Sequence, residues 1–199
     1  MLFFIPLIMD KKRCRWCEGD TLYEDYHDKE WGVPLFDDRL LFEFLTLETF
    51  QAGLSWITVL RKREYFRKAF DSFNYQKIAT YNTKKVATLL SNRGIIKNQL
   101  KIEATIKNAQ TFMLVQKQYG SFSSYMLDFV SGKPIINRYK TLKQVPAHTP
   151  LSEKISKDLK QKGFKFVGPT VVYAHMQATG MVNDHLIDCY RHSEITLEG

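Results

Sequence analysis

Four side chains near the two ends of this 199-residue chain have the types and spacing of a metal site. His185 and Cys189 lie four apart, so on a helix both would leave one face a turn apart. Cys14 and His27 lie near the other end. Two thiolates and two imidazoles make a closed tetrahedral set for zinc, one that clips the termini together and leaves no open position for catalysis. Two alternatives stay open: Cys14 and Cys17 form a C-x-x-C that can supply both sulfurs, or His185 and Cys189 merely pack.

A second cluster surrounds Glu48. This carboxylate falls on the apolar stripe of Leu41, Phe44 and Leu45, where it must be hydrogen-bonded, paired or neutral. Tyr23, Tyr26, His27 and Trp31 crowd the stretch before it, and Gln51-Ala52-Gly53-Leu54-Ser55-Trp56 makes a turn after it. An acid beside aromatic faces suits a flat, polar, nitrogen-rich ring, and a cationic ring best of all. The plainer alternative is a glutamate at a helix edge, solvated or paired with Arg61 or Lys62. Two basic turns offer a third chemistry. One runs from Asn92 to Asn98 around Gly94 and Lys97, with Lys101 a turn on; the other runs from Gln161 to Pro169 and contains Lys165. Such turns can aim backbone amides at phosphate, or simply end a helix with solvated lysines.

The elements that must position these groups read as helices almost throughout, with no convincing run of period two. Asp37 and Asp38 can cap a helix that carries Glu48 and ends at Gly53. Ser55 can cap the next, with Trp56, Val59, Leu60, Phe66 and Phe70 as its inner face. Asn82 opens a third helix closed by Gly94, and a long one with Ile102, Ile106, Ala109 and Met113 in register ends near Gly120. Shorter helices follow over 121–130 and 152–162, and Pro169 opens one that stops at Gly180. The segment 132–150 holds three prolines and reads as loop. The prediction is an all-α fold of seven to nine helices.

Composition narrows the class. With 44% hydrophobic residues and fourteen Phe, ten Tyr and three Trp, the chain builds a core and is not disordered. The longest apolar run, Leu2 to Met9, is too short to span a membrane and lacks the basic start and cleavage site of a signal peptide. A cytoplasmic protein is expected, in which an odd count of three cysteines means thiols or metal ligands. Met9 opens Met-Asp-Lys-Lys and reads as the true start, which makes the first eight residues an extension. The organisation expected is a non-conforming segment over residues 1–9 and a single domain over 10–199. The net charge of +8 points to a polyanionic partner.

Longer phrases are more specific. Tyr26-His27-Asp28-Lys29-Glu30-Trp31-Gly32-Val33-Pro34, joined to the stretches from Gln51 to Leu60 and from Lys162 to Thr170, resembles DNA-3-methyladenine glycosylase I. These are the constitutive bacterial Tag enzymes of the helix-hairpin-helix glycosylase superfamily. The resemblance runs from about Arg13 to Cys189 and includes Met181-Val182-Asn183-Asp184-His185. It implies a two-lobed, all-α enzyme with a helix-hairpin-helix lobe over roughly 75–150, acting as a monomer. That enzyme flips 3-methyladenine from alkylated duplex DNA and hydrolyses its N-glycosidic bond. The resemblance further implies that Cys14, His27, His185 and Cys189 hold one structural zinc ion, with no ligand role for Cys17. Glu48, Tyr26 and Trp56 match the base-binding residues, with Trp16 and Tyr23 as further pocket wall. Leu54 matches the wedge that fills the gap left by the flipped nucleotide, beside Gln51 and Gly53. Gly94 matches the phosphate-binding hairpin, with Lys97 and Lys101 nearby and Lys165 as a further DNA contact. An aromatic or small residue is implied where His175 stands.

Adenine methylated at N3 is cationic as a nucleoside and leaves as a neutral base, so its leaving group needs no proton. No aspartate follows the turn at Gly94 before Asp128, and no lysine sits where a Schiff base would form. Hydrolysis without strand cleavage is therefore expected. A non-catalytic, zinc-stabilised DNA-binding module would use the same basic turns but would not need Glu48. A metallohydrolase would need the open metal position that four ligands deny.

Overall fold

The computed structural model describes residues 11–51 and 53–198, so the expectation for residues 1–9 lies outside the described residues. Eleven α-helical segments are present among them. In chain order they begin with α1 (Thr21–Lys29), α2 (Asp38–Gln51), α3 (Trp56–Leu60), α4 (Arg63–Ala69), α5 (Tyr75–Ile78) and α6 (Thr83–Ser91). After these come α7 (Gln99–Tyr119), α8 (Phe122–Asp128), α9 (Pro150–Lys162), α10 (Pro169–Ala178) and α11 (Tyr190–Glu198). The expected count of seven to nine is too low for identifiable reasons. The helix expected to run on from Ser55 breaks at Arg61 and Lys62 into α3 and α4. Segments as short as α5, of four residues, are too brief to leave a periodic signal. The helix that opens at Asn82 ends before Asn92, whose Oδ1 then accepts the Gly94 N–H at 2.8 Å in a side-chain turn.

Helix α2 organises the molecule. Asp37 Oδ1 accepts the Leu40 N–H at 2.9 Å and starts it, and every residue from Leu41 to Phe50 is buried. The single apolar stripe read from the sequence is too narrow a description, because α3, α7, α8 and α10 all pack against this helix. Phe42 meets Phe112 edge-on at 5.3 Å, Phe112 stacks on Phe122 at 4.3 Å, and Phe50 meets Phe66 at 4.9 Å. Each such ring contributes roughly 1.5–3 kcal/mol by leaving water. Polar ties fix the register. The Asp38 carboxylate accepts the first amides of α8, from Phe122 and Ser123, at 2.8 and 2.9 Å, and the Gln116 amide at 2.6 Å. His175 of α10, standing where a small or aromatic residue was implied, donates a ring N–H to the Leu41 carbonyl at 3.1 Å.

The segment 132–150 is mostly loop but carries one strand, β1 (Ile135–Ile136), parallel to β2 (Val182–Asn183). Ile135 lies opposite Val182 and Ile136 opposite Asn183, a pairing too short to show alternation in sequence. It holds the loop against the residues that follow β2, where Asp184 and His185 stand. Among the described residues no helix is long and apolar enough to cross a membrane.

Candidate active site and metal cluster

Cys14, His27, His185 and Cys189 come together, all buried, with their ligand atoms within 4.8 Å of one another. His27 rides on the last turn of α1, a helix started by the Asp20 carboxylate on the Tyr23 amide at 3.1 Å. His185 and Cys189 do not share a helix face, which corrects the reason given for their spacing. They flank a turn after β2, closed by the Cys189 N–H on the Leu186 carbonyl at 2.8 Å. Cys17 is buried too, but its thiol donates to the Cys14 carbonyl at 3.0 Å, and it is absent from the cluster.

The separations suit a tetrahedral ion. His27 Nε2 and His185 Nδ1 are 3.2 Å apart, and the sulfur-to-nitrogen distances are 3.4, 3.6 and 3.8 Å. Metal–sulfur bonds of ~2.3 Å and metal–nitrogen bonds of ~2.0–2.1 Å give tetrahedral edges of ~3.3 Å between nitrogens and ~3.6 Å between sulfur and nitrogen. The other ring nitrogens give an independent test. His27 Nδ1 lies 2.8 Å from Asp28 Oδ1, and His185 Nε2 lies 3.0 Å from the Trp31 carbonyl. Both neighbours only accept, so both of those nitrogens carry protons and the inward-facing pair meets lone pair to lone pair. A cation bound between them relieves that contact. Against burial, interactions with the neighbouring sulfurs and with Asp28 push His27 up to about 10. Burial holds His185 below the usual imidazole range, while the bond to Cys189 and burial push the Cys14 thiol up.

Trp16 packs on His27 at 5.3 Å and Trp31 on His185 at 4.6 Å, so the cluster fixes two rings that turn their other sides to a cavity of about 220 Å³. Tyr23, Tyr26, Trp56, Glu48 and Gln51 line the same cavity. Trp16 lies 4.8 Å from Tyr23 and 5.0 Å from Trp31, and Tyr26 lies 5.5 Å from Trp56. The predicted base-binding residues are thus one constellation. Glu48 is 4% exposed, and neither its Oε2 nor the Trp56 Nε1 has a partner among the described residues. Arg61 pairs with Asp20, and Lys62 donates to the Gly94 carbonyl at 3.1 Å, so the edge-pairing alternative for Glu48 is not realised. Burial pushes the Glu48 carboxyl up to about 8 and Tyr23 up to about 12, and it raises Tyr26. An acid with an unmatched oxygen and an unmatched N–H inside a box of rings can pair with a planar polar ligand.

Sequence reasoning missed part of this cavity. Gln177 and Asp184 line it, and Asp184 accepts from Tyr173 Oη at 2.6 Å, Gln177 Nε2 at 2.8 Å and Asn137 Nδ2 at 2.6 Å. The pocket therefore has an aspartate after all, drawn from far beyond the turn at Gly94. The only signal for it was its place immediately before His185.

The groups expected to touch DNA are spread over several elements, and Gln51 is the one of them that lines the pocket. Gly53 has φ of +85°, a backbone state that favours glycine, and the turn it makes leaves Leu54 42% exposed beside Gln51. Gly94 lies against the Tyr65 ring, where an added Cβ would come within 2.7 Å, and Lys97 is exposed. Lys101 is placed differently: it is buried, and its ammonium donates to the Phe50 carbonyl at 3.2 Å, tying α7 to the end of α2. Lys165 sits in the turn between α9 and α10. Its backbone N–H and carbonyl are held by the Asn108 amide at 2.7 and 3.0 Å, with its side chain outside.

Comparison with known proteins places this chain in a family. The family model described as methyladenine glycosylase matches residues 16–192. DNA-3-methyladenine glycosylase of Haemophilus influenzae is 47% identical over 177 residues, 89% of this chain and 96% of that protein. DNA-3-methyladenine glycosylase 1 of Escherichia coli is 44% identical over 178 residues, 89% of this chain and 95% of that protein. A solved structure of 3-methyladenine DNA glycosylase I from Staphylococcus aureus, concerned with 3-methyladenine recognition, superposes with a TM-score of 0.86 at 37% identity. It covers 89% of this chain and 95% of its own. The chain belongs to the methyladenine glycosylase family, a family of DNA glycosylases.

Proposed function

We propose that this protein extrudes 3-methyladenine from alkylated duplex DNA and hydrolyses its N-glycosidic bond without cutting the strand, acting as a monomer in the cytoplasm. The observation that carries the reading is the buried, unpartnered Glu48 Oε2 inside the ring-lined cavity. Tyr26 and Trp56 stack on the extruded base, Trp16 and Tyr23 complete the wall, and Glu48 accepts hydrogen bonds from the polar edge of the base. Selectivity follows from burial. With its pKa pushed up to about 8, Glu48 is mostly neutral in an empty pocket at neutral pH. A cationic nucleoside favours the charged form, and an undamaged neutral base does not. Because the lesion already carries positive charge, its departure as a neutral base needs no acid, and the protein contributes extrusion, positioning and electrostatics.

Cys14, His27, His185 and Cys189 suit one zinc ion held by four protein ligands. Bound there, zinc supplies structure: it joins the N-terminal segment to the turn after β2 and sets Trp16 and Trp31. Leu54 fills the space of the extruded nucleotide, with Gln51 and Gly53 beside it. The turns at Gly94 with Lys97 and at Lys165 bear on phosphates. Lys101 acts on that surface by holding the end of α2.

Release of free base from alkylated duplex DNA, compared between wild type and Glu48→Gln at matched folding and metal content, tests the reading. The wild type should free 3-methyladenine, and the variant should lose most of that activity while still binding DNA. A folded, metal-loaded wild type that frees no base overturns it.

A further inference from the structure

Next to the base pocket lies a second cavity of about 470 Å³ with cationic walls. Its lining includes Lys12, Arg13, Arg15, Lys140 and Lys143, against one acid, Asp188. Two of the five cations are spent inside the protein: Lys12 pairs with Asp188, and Arg13 grips the Asp28 carboxylate at 2.8 Å. Arg15, Lys140 and Lys143 are exposed and have no acidic partner among the described residues. Unpaired cations lining one cavity raise its positive potential and draw an anion between them.

The walls are built rather than accidental. One is the N-terminal segment, held where the Tyr190 N–H reaches the Lys12 carbonyl at 3.0 Å. The other is the turn at 140–144, held where the Ile187 N–H reaches the Tyr139 carbonyl at 3.0 Å. That turn is stiffened by Gln144, whose Oε1 accepts the Lys140 and Thr141 amides at 2.7 and 3.2 Å. The same turn carries Leu142, which lines both this cavity and the base pocket. A ligand bridging the two must therefore present a base on one side of Leu142 and anionic groups on the other. A nucleic-acid strand has that chemistry.

We propose that Arg15, Lys140 and Lys143 form a phosphate-binding cleft that holds the backbone of the damaged strand beside the extruded nucleotide. The inference rests on the base-excision reading only for which strand enters. The cleft gives the strand a further point of attachment, next to the pocket and separate from the wedge at Leu54 and the turns at Gly94 and Lys165.

The test uses the full chain and a duplex carrying one non-cleavable abasic analogue. Arg15→Ala/Lys140→Ala/Lys143→Ala removes three exposed charges without touching a buried contact. If all three charges neutralise phosphates, the slope of log Kobs against log salt should fall by about 2.7. Tryptophan quenching by free 3-methyladenine should stay as in the wild type. Uncharged methylphosphonates, placed one at a time around the analogue, then locate the effect. At one or more positions the substitution should weaken wild-type binding and leave the variant unaffected. An unchanged salt slope, or a reduced slope with no methylphosphonate position coupled to the three side chains, overturns the proposal. Failure of the wild type to release base would strike the excision reading alone, since every measurement here reads binding.

Discussion

Two glutamates on α2 lie at nearly the same depth and meet opposite fates. Glu43 is 3% exposed and Glu48 4%. They are five residues apart, hence ~140° around the helix. On its side Glu43 receives the Arg63 guanidinium and, at 2.8 Å, Arg67 Nη2, while Arg63 reaches on to Glu30 at 2.6 Å. On the other side Glu48 has desolvation and no compensation for its Oε2. Equal burial thus serves two purposes. One face of α2 ties its neighbours into a scaffold, and the other leaves an acid with an unsatisfied oxygen beside the ring-lined cavity.

Breaking the satisfied side should cost most. Glu43→Gln leaves Arg63 buried with only Glu30 opposite it, and truncating one partner of a buried pair costs about 3 kcal/mol or more. Urea denaturation at neutral pH measures this, and a loss below about 1 kcal/mol would mean that the two arginines find other partners. Base release by the protein that remains folded should stay near wild type, because Glu43 does not line the pocket.

The unsatisfied side should respond to pH instead. The folded pKa of Glu48, about 8, lies above its ordinary value of 4.5, so the native state holds more protons than the unfolded chain between those values. That contribution to stability is complete below about pH 4.5 and is lost as pH rises through about 8. Glu48→Gln has no such proton to lose. Its stability relative to wild type should therefore rise with pH by at most about 1.4 kcal/mol per unit, which denaturation series from pH 5 to 8.5 will read. A flat difference across that range would mean that water or a neighbour already satisfies the carboxylate.

The same contrast explains what the sequence could and could not disclose. Glu48 on an apolar stripe, rings before it and a turn after it were all legible, because each is a local pattern. So were Asn82, Gly120 and Pro169 as helix boundaries, where one residue type sets the backbone. Glu43 attracted no notice, since its arginines come from another helix and nothing in the spacing pairs them. Asp184 and Gln177 entered the pocket unforeseen for the same reason: a parallel pairing of two residues per strand brings their segment into place. Lys101 was legible only as a charge near a basic turn, and its reach to the Phe50 carbonyl, across to another helix, leaves no mark in the spacing.

His175 gives the smallest and sharpest form of the comparison, since it is a third buried titratable group against α2. Its ring donates to the Leu41 carbonyl at 3.1 Å, and burial pushes its pKa down to about 4. His175→Leu forfeits that one hydrogen bond, a cost of about 1 kcal/mol at pH 8. The acid side has the opposite sign. With a folded pKa below the unfolded 6.5, the wild type is fully stabilised above 6.5 and loses stability as pH falls through about 4. The leucine variant escapes that loss, so the order of stabilities should reverse below about pH 6. Parallel curves would mean that the histidine takes up its proton as readily in the folded protein as in the unfolded chain. The Leu41 carbonyl would then be holding a charge, and the interior around α2 would be less dry than the silence around Glu48 implies.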